Sequence, residues 1–313
     1  MRSLLNTIKG KYKDKNNRQV FNNIVLSYVI KGVAMVVSVF TTPAYMSYFD
    51  NNSVLGVWFT MIALFTWILT FDVGVGNGLR NSIVKPLVDN DENEIKKYIS
   101  SAYIIMGIIS AVMLVVFACF INVVNWNAFF EISTNVISAK TLKICVSIIV
   151  CGIILQLWLK LVNSLLYAMQ KTALISLISL VSTVLLLAFV LLVKEYNVET
   201  KILYLSIAQV VFVNVPLVAT TIIVFFTKLK GKLPNKKYYS GVHAKKVLGL
   251  GGIFFFIQIA LLFISSTNEI LITKIYGTEY VVDYQIYFKL FHLIVVLFSL
   301  LSRCIAGSNA AGY

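Results

Sequence analysis

The sequence predicts an all-α fold, a polytopic membrane helix bundle of about 8 transmembrane helices. Three observations carry that prediction. Of 313 residues, 59% are hydrophobic and only 13% charged, and mean hydropathy is +0.85; soluble domains carry about a quarter charged residues. The apolar residues gather in runs of about 20, the length a helix needs to cross a bilayer. The lysines and arginines cluster between alternate runs, as basic loops do on one side of a membrane.

Taken in order, the runs are Ile24–Thr42, Val54–Phe71, Ala102–Val123, Ile144–Tyr167, Leu174–Val193, Leu203–Phe226, Ile253–Tyr276 and Asp283–Leu301. The first is full length and lacks a small-residue cleavage site after it, so no cleavable signal peptide is expected. The basic tail before it, the loop with Arg80, Lys85, Lys96 and Lys97, and the stretch Leu229–Lys246 hold most of the 27 lysines and arginines. That bias predicts a cytoplasmic N-terminus in an inner-membrane protein. The net charge of +14 is thus topology plus attraction to anionic membrane lipids, and nucleic acid is not an expected partner.

Leu229–Lys246 is the longest strongly basic stretch and separates six runs from two. Many transporters are built as two halves of six spans. We therefore expect a six-helix lobe with a basic tail over residues 1–228, an inter-lobe linker over 229–252 and a partial second lobe over 253–313.

The four cysteines (Cys119, Cys145, Cys151, Cys304) are scattered and the two histidines (His243, His292) have no partners at ligand spacing. Neither a metal site nor any cofactor is expected.

Charges inside the apolar runs are the first functional signal. A lysine at mid-membrane costs roughly 2.5–3.5 kcal/mol on insertion scales, yet Lys31, Lys160 and Lys289 each lie inside a run. At 1.5 Å per residue, Lys31 and Lys160 lie roughly 10 Å from the cytoplasmic end of their spans. Lys289 and Glu269 lie roughly 10 Å from the outer end on consecutive antiparallel helices, which predicts a Glu269–Lys289 ion pair. Lys31 and Lys160 have no acid at equal depth; they snorkel to the headgroups or line a cavity that attracts negative charge. Gln156, Asn163, Gln209, Asn214, Gln258 and Asn268 suit a hydrated path for sugars and equally suit interhelical hydrogen bonds.

The second signal is Phe71–Asn81, FDVGVGNGLRN, where an acid, three alternate glycines and an arginine follow a spanning helix. A dinucleotide fingerprint needs a strand before its glycines, and here a bilayer helix precedes them. Two readings remain: a helix stop packed closely against its neighbours, or exposed backbone N–H groups that hold a phosphate together with Arg80. The candidate substrate-binding set is Lys31, Asp72, Gly74, Gly76, Gly78, Arg80, Asn81, Lys160 and Lys289.

These residues also carry a resemblance. Leu55-Gly56-Val57-Trp58, Trp67, Phe71–Asn81 and Tyr98-Ile99-Ser100-Ser101-Ala102-Tyr103 resemble the Wzx-like O-antigen flippases. These share a superfamily with multidrug and toxic compound extruders and lipid II flippases. Tyr28-Val29-Ile30-Lys31-Gly32 and Pro43 are similar to that family's first helix; Ser265–Thr273 and Tyr284–Phe291 are similar to its seventh and eighth. The likeness covers about residues 20–301, with Glu269 standing where relatives more often have a small polar residue. It implies translocation of an undecaprenyl-diphosphate-linked oligosaccharide in O-antigen (lipopolysaccharide) biosynthesis, alongside other polysaccharide-assembly membrane proteins. It also implies twelve helices, four more than this chain has. Ser302–Tyr313 departs from the family pattern, so the expectation is a C-terminally interrupted flippase, by frameshift, by a truncated gene model or as a naturally short form, inactive in transport alone.

Two rivals stand beside a flippase. A cation-coupled drug antiporter of the same superfamily should carry acids facing its cavity. A membrane enzyme such as a polymerase needs an outer loop bearing chemistry, and Asn125–Lys143 offers Glu131 and two lysines but no catalytic set. The chain is not expected to be an enzyme.

Overall fold

The computed structural model describes residues 15–193 and 197–289, with 291 and 294. All regular structure in these residues is helical. Six helices among them are long and apolar enough to cross a membrane: Val25–Phe49, Asn52–Leu69, Glu92–Phe120, Ala139–Ala168, Thr172–Leu192 and Val198–Thr227. The unusual tail at 302–313 and most of the C-terminal part of the eighth expected span lie outside the described residues.

Helix α1, Lys15–Phe49, runs farther than its apolar stretch and carries Pro43 within it. Helix α2, Asn52–Thr66, starts where the Asn51 side chain accepts the Val54 N–H, a cap worth about 1 kcal/mol. It tightens into a 3₁₀ turn over Trp67–Asp72. Helix α3, Val75–Asp89, is not among the expected spans, because its apolar residues (Val75, Leu79, Ile83) follow a helical repeat too short to cross. Helix α4, Glu92–Phe120, is capped by Asp91, whose carboxylate accepts the N–H groups of Asn93 and Glu94.

The fourth expected span is two helices, α5 (Ala139–Leu159) and α6 (Leu161–Ala168), divided at Lys160. Helices α7 (Thr172–Leu192) and α8 (Val198–Thr227) complete the six. The basic linker is shorter than expected, since helix α9 already begins at Gly241 and runs to Ser266. The seventh expected span is likewise divided, at Thr267, into α9 and α10 (Asn268–Tyr276). Residues 279–289 form α11.

Side-chain size and hydrogen bonding set how these helices meet. Helix α1 lies along α7, where Ser27 and Ser176 share a 2.7 Å hydrogen bond. Helix α5 meets α8 where Asn214 Nδ2 donates to the Gly152 carbonyl at 3.1 Å. Small residues and polar pairs of this kind draw helices together in a solvent as apolar as their own side chains.

Two apolar cores result. One, around Trp58, Phe49, Phe130 and Met61, joins α2, α5 and the segment before α5. The other, around Leu79, Ile99, Met106 and Val247, joins α3, α4, α6 and α9 at the lysine-rich end. There the linker is bonded down onto α4. Ser100 Oγ accepts the Asn235 N–H, Ser101 Oγ accepts the Ser240 N–H, and His243 Nε2 sits 2.8 Å from Glu94 Oε2.

Candidate functional site

The break at Lys160 organises the interior. The Lys160 N–H still donates to Gln156 O, but the next bond is the tighter one from Asn163 N–H to Lys160 O. This opens one helical turn and sets the lysine between two cavities. The first, about 310 Å³, is walled by Asp72, Gly76, Asn77 and Arg80 on one side and by Asn163, Ser164 and Tyr167 on the other. The second, about 420 Å³, lies between α5–α6, α7 and α8 and presents Gln156, Ser179, Ser182, Thr183 and Gln209. Lys160, Asn163 and Ile175 line both, so the two spaces share a wall with a cation in it.

The glycine-rich segment supplies the first cavity's other charges. Asp72 ends the 3₁₀ turn, and its Oδ1 accepts the Gly74 N–H at 2.8 Å. Val73 and Gly74 both take left-handed φ, 50° and 70°, which reverses the chain into α3. At Val73, a β-branched residue, that conformation stores strain of order 1–3 kcal/mol. Burial pushes the Asp72 carboxyl above the usual carboxylate range; the backbone bond from Gly74 and the charge of Lys160 pull it back.

Of the two readings of this segment, these contacts favour the helix stop, since the Gly74 N–H that a phosphate nest would use is taken by Asp72. Each glycine answers to a different constraint: Gly74 to the turn, Gly76 to a close approach, and Gly78 to another helix. A Cβ on Gly76 would stand 2.9 Å from Ser164 Oγ and 3.3 Å from Asp72 Oδ2. A Cβ on Gly78 would overlap the backbone carbonyl of Val247 in α9. Of the three, only Gly76 lines the cavity.

The other expected site residues separate. Arg80 is exposed at the cavity's edge, with its guanidinium 5.0 Å from the Tyr167 ring centroid. Asn81 is exposed and lines neither space. Lys31 is exposed on α1, 5.9 Å over the Tyr28 ring, and also lines neither. Lys160 does have an acid within electrostatic reach, Asp72, which the run boundaries placed at another level. The two make no direct ion pair.

The expected Glu269–Lys289 ion pair is not formed. Glu269 Oε1 accepts from Gln285 Nε2 at 2.8 Å, while Lys289 Nζ reaches across to Thr42 Oγ1 at 2.6 Å. Gln285 stands at the level of Glu269, and Lys289 lies one turn farther, about 6 Å along the helix. Its ammonium rests 5.4 Å over the Phe59 ring and lines a third cavity of about 190 Å³ with Val39, Thr42, Pro43 and Met46.

Asn77, Ser179, Ser182 and Thr183 were missed as site residues. A signal existed for the α7 residues: Thr172, Ser176, Ser179 and Thr183 recur at four- and three-residue spacing, a polar stripe on an apolar helix.

No protein-family model matches the chain, and no curated protein matches it. Among solved structures, the chain is similar to an inward-facing conformation of a multidrug resistance MATE family transporter of the MOP superfamily, with a TM-score of 0.67 and 11% identity. The likeness, one of fold at that identity, covers 87% of this chain and 62% of that one. The chain thus spans less than two thirds of its structural neighbour's length.

Proposed function

We propose that this chain serves the translocation of an undecaprenyl-diphosphate-linked oligosaccharide across a bacterial cytoplasmic membrane. The observation that carries the reading is Lys160, a cation held at a helix break between two polar cavities, with Arg80 at the rim of the first. In the orientation predicted by the basic loops, Arg80 stands at the inner mouth. A diphosphate meeting Arg80 there and Lys160 farther in finds cations along its path, and the uncharged groups beyond suit sugars. The shared fold with a transporter and the O-antigen flippase resemblance support the same reading. Other polysaccharide-assembly membrane proteins are its expected neighbours.

A second reading draws on Asp72. A cation-coupled exporter needs an acid facing its cavity, and Asp72 lines the first cavity within reach of Lys160.

The deciding test is made in proteoliposomes. With a fluorescent undecaprenyl-diphosphate oligosaccharide, the chain alone is expected to bind the lipid without moving it between leaflets, and Lys160→Gln to lose most of that binding. Efflux of a cationic dye driven by an ion gradient, with no binding of the lipid, would establish the exporter instead.

A further inference from the structure

We infer that the second cavity, between α5–α6, α7 and α8, is a subsite for neutral sugar, separated by Lys160 from a phosphate-facing first cavity. This rests on the lipid-linked oligosaccharide reading and assigns that substrate's two chemical halves to two walls.

The walls differ in kind. The first cavity carries Asp72, Arg80 and Lys160; the second carries no charge except the shared Lys160. Its polar groups are amides (Gln156, Asn163, Gln209) and hydroxyls (Ser179, Ser182, Thr183). Two hydroxyls have their hydrogens committed to their own helix: Ser182 Oγ donates to Ile178 O at 3.1 Å and Thr183 Oγ1 to Ser179 O at 3.0 Å. They therefore turn lone pairs inward as acceptors.

An independent observation comes from Asn163. Its Oδ1 is buried and has no hydrogen-bond partner, on a side chain that lines both cavities. Buried acceptors are rarely left so, and one left unsatisfied costs about 1–3 kcal/mol. Rotation of the amide toward either cavity lets a ligand hydroxyl satisfy it. A wall of acceptors and amides without carboxylates suits a neutral or N-acetylated sugar. The volume, about 420 Å³, lies within the range of small-molecule sites, ~300–1,000 Å³.

The test uses the full chain in nanodiscs and two probes, bare undecaprenyl diphosphate and undecaprenyl diphosphate carrying a neutral N-acetylglucosamine-containing disaccharide. Wild type is expected to bind the glycosylated probe about tenfold tighter, the return on two or so added hydrogen bonds. Ser182→Leu, which fills the cavity, and Gln209→Leu, which strips an amide, should each bring the glycosylated probe to the affinity of the bare one. Binding of the bare probe and the melting temperature should stay as in wild type. Equal affinity of wild type for both probes overturns the sugar subsite while leaving the lipid-diphosphate reading standing. So does an equal loss for both probes in the two variants. Binding of neither probe overturns both.

Discussion

Two stretches of this molecule look alike in the sequence and behave differently in the fold. Lys31 on α1 and Lys160 between α5 and α6 each stand inside an apolar run. At Lys31 the helix runs unbroken, the lysine is exposed, and a Cβ on Gly32 meets nothing within 4 Å. At Lys160 the helix breaks, polar cavities open on both sides, and Gly76 across the first of them is pressed against Ser164, while Gly78 two residues on is pressed against Val247 of α9. A lysine in an apolar run therefore has no fixed meaning. Its role depends on whether neighbouring helices build polar walls around it, and those walls come from residues far away in the chain.

The largest expected contrast lies in the glycines. Gly78→Ala must push α9 away from α3, and overpacking of this kind costs about 1–3 kcal/mol. Gly32→Ala should be neutral or stabilise by up to about 1 kcal/mol, the ordinary helix-interior gain. Thermal unfolding in nanodiscs measures both; equal effects would mean that α3 and α9 do not touch as described.

Next come the lysines. Lys160→Gln is expected to lower affinity for the lipid-linked oligosaccharide at least about tenfold, roughly the 1.4 kcal/mol that a lost charge-assisted contact costs. Lys31→Gln should stay within about twofold, as befits a residue outside both cavities. A reversed order would place the substrate path along α1.

Asp72→Ala should lower stability by about 1 kcal/mol through loss of the Gly74 cap, read as a smaller shift in melting temperature than Gly78→Ala gives. An unchanged melting temperature would remove Asp72 from the turn.

The smallest contrast is Arg80→Ala against Asn81→Ala. Losing the stack on Tyr167 and a cation at the cavity edge should weaken binding of bare undecaprenyl diphosphate several-fold, about 1 kcal/mol. Asn81→Ala should leave it unchanged. Equal losses would move the binding face of α3.

How much was readable in advance follows from the same residues. The six spans with their polar caps at Asn51, Asp91, Ser138 and Asn197 are local features, written within a few residues of where they act. The helix break at Lys160 is different. Nothing in Leu157-Trp158-Leu159-Lys160-Leu161 breaks a helix by propensity, so the run reads as continuous. The Glu269–Lys289 pairing failed for a related reason. Depth arithmetic is good to about a turn, and one turn decided whether Gln285 or Lys289 faced the acid. The sequence left helix stop and phosphate nest both open because the motif shows which N–H groups a turn could free, while the carboxylate that takes the Gly74 N–H is placed by the folded φ values of Val73 and Gly74.

The sequence by itself determined that this is a helical membrane protein, where its first six spans lie, and which charges stand inside them. Those follow from hydrophobicity summed over about 20 residues and from the cost of placing charge in hydrocarbon. Only the tertiary structure decided which lysine meets an acid, which glycine touches another helix, and which polar side chains share a cavity. These are relations between residues as far apart as Thr42 and Lys289, 247 positions along the chain, and no local pattern encodes them.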